Sequence, residues 1–534
     1  MTWRVAKCAS ETPPPKPTRD LDPAAYADQV GQEYLATCHA ETRKTLAQYF
    51  TPTSVALFMA SLTRRVEEGM SLLDPGAGAG ILSCALIQLL SLSSRKPKAI
   101  SLTAYEVDEK LIPYLTRTLG YAAHWARKRH VRLVYRILNK DFVLEHAHTF
   151  HATGSLLQPS REQFDVVISN PPYFKISHAS PYASAAATFI PNIYALFMAA
   201  AATLLKPKGQ LIFITPRSYT AGPYFQTFRA RFLARVSPVA LHVFESRTKA
   251  FDRDKILQEH IILSAVNALP RAGAMVTLSS SEGLDDLSHS RQQRVPLSAL
   301  IDLQSREKML HLPTTAEAVR LKHHLQTWQH NLETLGLKSS TGPVVAFRSK
   351  ALLLQHPTQP SAPLLWLQNV KPMQVQWPAK TRKPQFLAIS PASPSLYVPN
   401  SNYVLVRRFS AKEAKRRLVA APYLQQVFQA VVVGLENHLN YVYRPGGNLS
   451  REEVYGLSAL FNSRLLDTYF RTLNGNTQVN ATDLMHMPLP PLPVIQKIGR
   501  RVLTTAAYAP EQVDGVVENH LTVALIGFRG LTHL

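Results

Sequence analysis

Cysteine is almost absent from this chain: Cys8, Cys38 and Cys84 are the only three in 534 residues, and none lies close to another. That scarcity excludes a disulfide framework and a cysteine-based zinc site, so no structural metal is expected. Long apolar runs are missing as well. The longest nearly unbroken one, Ala195 to Leu205, is too short to cross a bilayer, and Met1 to Lys7 lacks the apolar core of a secretory signal. A cytoplasmic protein with no membrane partner is therefore expected. Acid is the third scarcity: 36 Asp and Glu face 59 Lys and Arg, a formal net charge of +23. An excess of that size selects a polyanionic partner, with nucleic acid ahead of an anionic membrane surface.

The acid deficit is local. From Thr334 to Phe409 there is no Asp or Glu, while Lys371, Lys380, Arg382, Lys383, Arg407 and Arg408 fall inside that stretch. These six are the candidate nucleic-acid-binding cations; the competing reading is a solvated basic face without a partner, which would promote nonspecific binding.

What the chain does contain is a regular alternation. Apolar strand candidates recur at Ser71 to Leu73, Ile100 to Tyr105, Arg132 to Leu138 and Phe164 to Ser169. Their spacing is about the thirty residues that one βαβ unit needs. Three more follow at Gln210 to Thr215, Ala240 to Phe244 and Ile261 to Val266, with helical segments between, including Gly80 to Leu92 and Ile193 to Leu205. Seven strands with intervening helices predict a Rossmann-like, doubly wound α/β sheet. Residues 1–22, polar and Pro-rich, predict a flexible arm; residues 23–270 hold the sheet; 271–300 read as a linker; and 301–534 form a second, α+β domain, Pro-rich over 334–410. Helical spacing at Leu457, Leu460, Phe461, Leu465, Tyr469 and Leu473, with Gly475 as its stop, returns near the end.

Chemistry is expected where strands end, because open α/β sheets place their sites just past the carboxyl ends of parallel strands. Ser169-Asn170-Pro171-Pro172-Tyr173 closes the fourth strand with an amide, two prolines and a phenol. By average composition an Asn-Pro-Pro-Tyr tetrad arises by chance in roughly one such chain in several hundred. The first strand ends in Asp74-Pro-Gly76-Ala-Gly78-Ala-Gly80, which has no Gly-Lys-Ser/Thr ending of a nucleotide-phosphate loop. Glu106 ends the second strand and Asp141-Phe142 follows the third; acids at such places also serve as caps for the next helix. Four features at four successive strand ends converge on one edge of one sheet.

Asn or Asp followed by Pro-Pro and an aromatic residue resembles the catalytic loop of amino-group S-adenosylmethionine methyltransferases. The resemblance implies that the Asn170 side-chain oxygen and the Pro171 carbonyl accept the two N–H groups of a conjugated amine, with Pro172 and Tyr173 completing the loop. Tyr173 and Phe251 would stack on the target base. It implies further that S-adenosylmethionine is held by Thr51, in Gln48-Tyr-Phe-Thr51-Pro52, and by Asp74, Gly76, Gly78, Glu106, Asp141 and Phe142. Asp74 would face the amino-acid end, Glu106 the ribose hydroxyls and Asp141 the adenine amino group, with Phe142 packed on that ring. Thr51 can equally cap a helix, and Phe251 can equally be a core residue.

The order of motifs, cofactor and catalytic features before a basic C-terminal domain, is similar to that of gamma-class N6-adenine DNA methyltransferases of type II restriction-modification systems. Glu436-Asn-His-Leu-Asn440, Leu460-Phe-Asn-Ser463, Asp467-Thr-Tyr-Phe470 and Gly475-Asn-Thr-Gln478-Val-Asn480 extend the likeness toward the C-terminus. The implied activity is methylation of adenine N6 in a specific double-stranded DNA site, by a monomer, protecting that site from a cognate restriction endonuclease. N4-cytosine methylation and protein-glutamine methylation use nearly the same loop. A noncatalytic DNA-binding protein would explain the charge but not the four aligned strand ends.

Overall fold

The computed structural model describes residues 21–37, 50–151, 162–185, 190–246, 259–357, 360–379, 381–391, 394–411, 413–475 and 477–521. The chain divides into two compact units, Met1–Thr314 and Thr315–Leu534, so the boundary lies later than the expected start of the second domain at 301.

The first unit is built on one sheet. In chain order its strands are β1 Gly69–Asp74, β2 Ala99–Tyr105, β3 Arg132–Leu138, β4 Phe164–Ser169, β5 Leu205–Pro216, β6 Val236–Phe244, β7 His260–Asn267, β8 Met275–Ser281 and β9 Arg291–Pro296. They lie in the order β3-β2-β1-β4-β5-β7-β6-β8-β9. β1 to β5 run parallel, and β7 enters antiparallel between β5 and β6. The chain winds outward from β1 through β3 and then crosses back to β4, so β1 and β4, neighbours in space, send their connections to opposite sides. That is the topological switch point of a doubly wound sheet, where a crevice opens beyond the strand ends.

Burial follows the pattern expected of a covered parallel sheet. Central β4 is buried at every position but Asp165, whereas edge strand β3 alternates exposed with half-buried residues. The helices Ile81–Leu92 and Ile193–Thr203 are buried nearly all round because they pack directly against the sheet and their neighbouring helices.

The seven-strand expectation needs one correction. Residues 271–300, expected as a linker, supply β8 and β9 and extend the sheet to nine strands. Ser279, Ser280 and Ser281 make this segment look polar, yet all three are buried. The His242 imidazole on β6 explains how: its Nδ1 lies 2.9 Å from Ser279 Oγ and its Nε2 3.1 Å from Ser281 Oγ, so the ring and two hydroxyls satisfy one another inside the sheet.

The second unit is α+β. Lys338–Thr341, Leu439–Tyr443, Tyr403–Arg407 and Ala420–Tyr423 form a four-stranded antiparallel sheet, and a five-stranded sheet of shorter pieces lies in the same unit. Residues 334–410 are thus strand-bearing, in segments too short to show a period. The C-terminal helical pattern resolves into two helices, Arg451–Asn462 and Arg464–Leu473, broken where Ser463 turns extended and its hydroxyl accepts the Leu466 N–H.

Asn462, at the end of the first, ties helix to sheet. Its Oδ1 accepts the Ala420 N–H (3.1 Å), and its Nδ2 donates to the carbonyls of Ala420 (2.7 Å) and Ser458 (2.8 Å). An unsatisfied buried polar group costs about 1–3 kcal/mol. Asn462→Ala orphans the Ala420 N–H and leaves a small void, so a loss of about 2–4 kcal/mol is expected, read as a fall in the urea midpoint.

Candidate active site

A cavity of about 310 Å³ opens at the switch point, lined from four strand ends. The glycine turn after β1 makes its floor. Gly78 adopts φ +55°, a left-handed conformation, and a Cβ built on it meets nothing within 4 Å, so the turn presents bare backbone to open space.

Two carboxylates secure that turn. Glu106, buried at the end of β2, accepts the Gly78 N–H on Oε2 (2.8 Å) and the Asp108 N–H on Oε1 (2.9 Å). Burial raises its pKa above the usual carboxylate range, an effect those two N–H groups partly oppose. Asp74 lies deeper, fully buried. Its Oδ2 accepts the Ser83 hydroxyl (2.8 Å), while Oδ1 has no partner of ordinary geometry among the described residues. Burial pushes the Asp74 carboxyl up to about 7; the Ser83 hydroxyl counters this and the nearby Glu106 charge adds to it.

After β3, Asp141 is both cap and site residue. Its Oδ1 accepts the Leu144 N–H (2.9 Å), starting the short helix Phe142–Glu145, and its Oδ2 accepts the Tyr182 hydroxyl (2.5 Å). Phe142 is buried against Tyr105 and Phe197, with ring centroids 5.3 and 5.4 Å away.

After β4, Asn170 Nδ2 donates to the Thr51 hydroxyl (3.1 Å) and Asn170 Oδ1 accepts the Tyr173 hydroxyl. That hydroxyl also lies 3.1 Å from the Ile214 carbonyl, and the Tyr173 ring packs beside His260 at 5.4 Å. The phenol is turned back into the protein. Asn170, Pro172 and Phe174 line the cavity; Pro171 and Tyr173 do not.

Thr51, Gly76, Gly78, Glu106, Asp141 and Phe142 all line the same cavity, with Asp74 beneath it. Phe251 lies outside the described residues. Sequence reasoning missed Tyr182 and Phe197. Tyr182 carries no motif, and Phe197 sits in an apolar helix that reads as plain core.

The six candidate cations, all in the second unit, divide. Lys371 and Arg382 are exposed, and Lys380 lies outside the described residues. Three are occupied by their own chain. Lys383 Nζ sits 4.4 Å from the Trp366 ring centroid, Arg407 Nε donates to the Val370 carbonyl (2.7 Å), and Arg408 Nη1 donates to the Asn437 carbonyl (2.9 Å).

Residues 111–251 match the family model described as Eco57I restriction-modification methylase. The chain is similar to the type II methyltransferase M.BsuBI of Bacillus subtilis, 35% identical over 495 residues, covering 92% of this chain and 96% of that one. It is likewise similar to the type II methyltransferase M.PstI of Providencia stuartii, 32% identical over 498 residues with the same two coverages. Among solved structures, the DrdV–DNA complex aligns over 90% of this chain and 59% of that one, at 13% identity and a TM-score of 0.47.

Proposed function

The chain belongs to the type II methyltransferases of restriction-modification systems, and from that membership we propose that it methylates the N6 amino group of adenine in double-stranded DNA. The observation that carries this reading is Asn170: a neutral amide lining a switch-point cavity, its oxygen accepting the Tyr173 hydroxyl.

The residues present fit S-adenosylmethionine. Asp74 Oδ1 is a buried acceptor with no partner of ordinary geometry among the described residues, and Gly78 exposes bare backbone to the cavity. Each Glu106 oxygen takes one backbone N–H and keeps a lone pair for a ribose hydroxyl. Asp141 would face the adenine amino group and Phe142 its ring. When bound, the cofactor supplies an electrophilic sulfonium methyl group.

The protein's own work is positioning. An exocyclic amine conjugated to a base is a weak nucleophile. Asn170 Oδ1 and the Pro171 carbonyl, by accepting its two N–H groups, would localise the lone pair and aim it. Asn170 is no strong base, so the rate rests on orientation and electrostatics, and the proton leaves late, to water. The adenine must first leave the duplex, at a cost of a few kcal/mol for unstacking. For Tyr173 to stack on it, the phenol has to release Asn170 Oδ1, and that same movement frees the acceptor for the amino group. Phe251 would close the other face of the base.

The basic second unit supplies phosphate contacts, Lys371 and Arg382 being the exposed ones among the six candidate cations and Lys380 a further one by sequence. On this reading a cognate endonuclease is the functional partner and the enzyme acts as a cytoplasmic monomer. Among the described residues no helix is long and apolar enough to cross a membrane.

The test is transfer of a labelled methyl group from S-adenosylmethionine to plasmid DNA, followed by nucleoside analysis. Label in N6-methyladenine is expected. Label in N4-methylcytosine, or in protein alone, would overturn the adenine assignment.

A further inference from the structure

Within the second unit, Val370–Lys371 and Gln374–Val375 form an isolated two-stranded antiparallel hairpin, paired Val370 to Val375 and Lys371 to Gln374. Side chains alternate faces along a strand, and cross-strand partners share a face. The register therefore sorts the hairpin into two. Val370 and Val375 face inward and pack into the core with Tyr403, Leu405 and Val433. Lys371 and Gln374 share the other face, Gln376 continues it two residues on, and all three are exposed.

The inward side is held at three places. Asn369, fully buried, donates Nδ2 to the Gln376 carbonyl (2.6 Å) and accepts the Trp366 N–H on Oδ1 (2.7 Å). Arg407 Nε donates to the Val370 carbonyl. At the tip, Met373 is buried and its N–H donates to the Ala420 carbonyl (2.9 Å), the group that Asn462 also holds. A polar row on so fixed a ribbon loses little backbone freedom on binding, which is what precise recognition requires.

The row has a defined polarity. Gln376 Nε2 donates to Gln374 Oε1 (3.1 Å), which leaves the side-chain Oε1 of Gln376 and the side-chain Nε2 of Gln374 as an adjacent acceptor and donor. If the two amides are flipped, the roles exchange and one acceptor and one donor still remain. An acceptor beside a donor matches the N6 amino group and N7 of adenine on the major-groove edge, and a two-stranded ribbon fits that groove. Lys371 adds a cation, and no Asp or Glu lies between Thr334 and Phe409 to oppose DNA.

We propose that this hairpin reads DNA sequence, with Gln374 and Gln376 recognising one A·T pair of the target site from the major groove. The inference rests on the DNA-methylation reading and names the residues that give it specificity.

The experiment maps methylated sites by sequencing a DNA library treated with wild type, Gln374→Ala, Gln376→Ala and the double variant, with cofactor binding and thermal midpoint measured alongside. Wild type should define one sequence. The double variant should lose about 10- to 100-fold in preference for A·T at a single position and keep its preference elsewhere, with unchanged cofactor affinity and midpoint. Unchanged selectivity at every position, whether or not overall activity falls, would overturn the hairpin assignment and leave the methyltransferase reading intact. A wild type that methylates no DNA would remove both.

Discussion

Asn170→Ala is expected to lower the methyl-transfer rate constant by roughly 10²- to 10³-fold or more, the range seen when one preorganised charge-stabilising group is removed from an active site. Affinities for S-adenosylmethionine and DNA should move little. The expectation follows from what the side chain touches. Its amide nitrogen donates to the Thr51 hydroxyl and its oxygen accepts the Tyr173 hydroxyl, neither of which belongs to the glycine turn or to the carboxylates on the cofactor side, so truncation removes the acceptor and spares both. Asn170→Asp separates acceptor from scaffold. A carboxylate keeps the oxygens but gives up the donor to Thr51, so activity intermediate between wild type and the alanine variant is expected. Single-turnover kinetics with cofactor and DNA saturating provide the check, because they exclude binding from the rate. An alanine variant transferring methyl groups at the wild-type rate would remove Asn170 from the mechanism.

The difference between reading Asn170 from sequence and finding it in the fold lies in its neighbours. The tetrad sits at a strand end because prolines stop the ladder, and the parallel strands place that end beside Gly78 and Glu106; both facts are local and periodic, and both were legible. The Tyr173 conformation was not. Its ring was expected to stack on a ligand, but with the acceptor of Asn170 within reach the hydroxyl bonds back, a choice set by three-dimensional proximity. Ser279 and Ser281 failed for a related reason: two serines read as loop until a histidine on β6, some forty residues earlier, satisfies them inside the sheet. Charge in the second unit shows the same limit. Composition located a cationic stretch, but Arg407 and Arg408 are held by carbonyls of their own chain, and only the fold distinguishes them from exposed Lys371 and Arg382.

Glu106→Gln, nearly isosteric, is expected to weaken S-adenosylmethionine binding about 100-fold. Both carboxylate oxygens accept backbone N–H groups, from Gly78 and Asp108. An amide has one acceptor and one donor end, so either orientation sets its NH₂ against a backbone N–H, and the turn or the bond at Asp108 must give way. The same substitution removes an acceptor from the ribose. Hydrogen bonds to charged groups contribute about 1.5–3 kcal/mol each, and losing one or two raises the dissociation constant by that order. Acidity provides an independent check on the cause. Burial holds Glu106 above the ordinary carboxylate range, so it takes up its proton at a higher pH than free glutamate does; protonation turns one acceptor into a donor, and wild-type affinity should decline as pH falls through that range. The glutamine variant has no such group and should lack that decline. Asp74, which the Glu106 charge helps push up to about 7, titrates at lower pH once that charge is removed, so both proteins carry Asp74→Asn and the comparison is the ratio of their dissociation constants. Calorimetric titrations over a pH series measure that ratio: it should shrink toward acid as the protein with Glu106 approaches the glutamine variant. A ratio constant with pH would mean that ionisation of Glu106 contributes nothing to cofactor binding, whether through the turn or by direct contact.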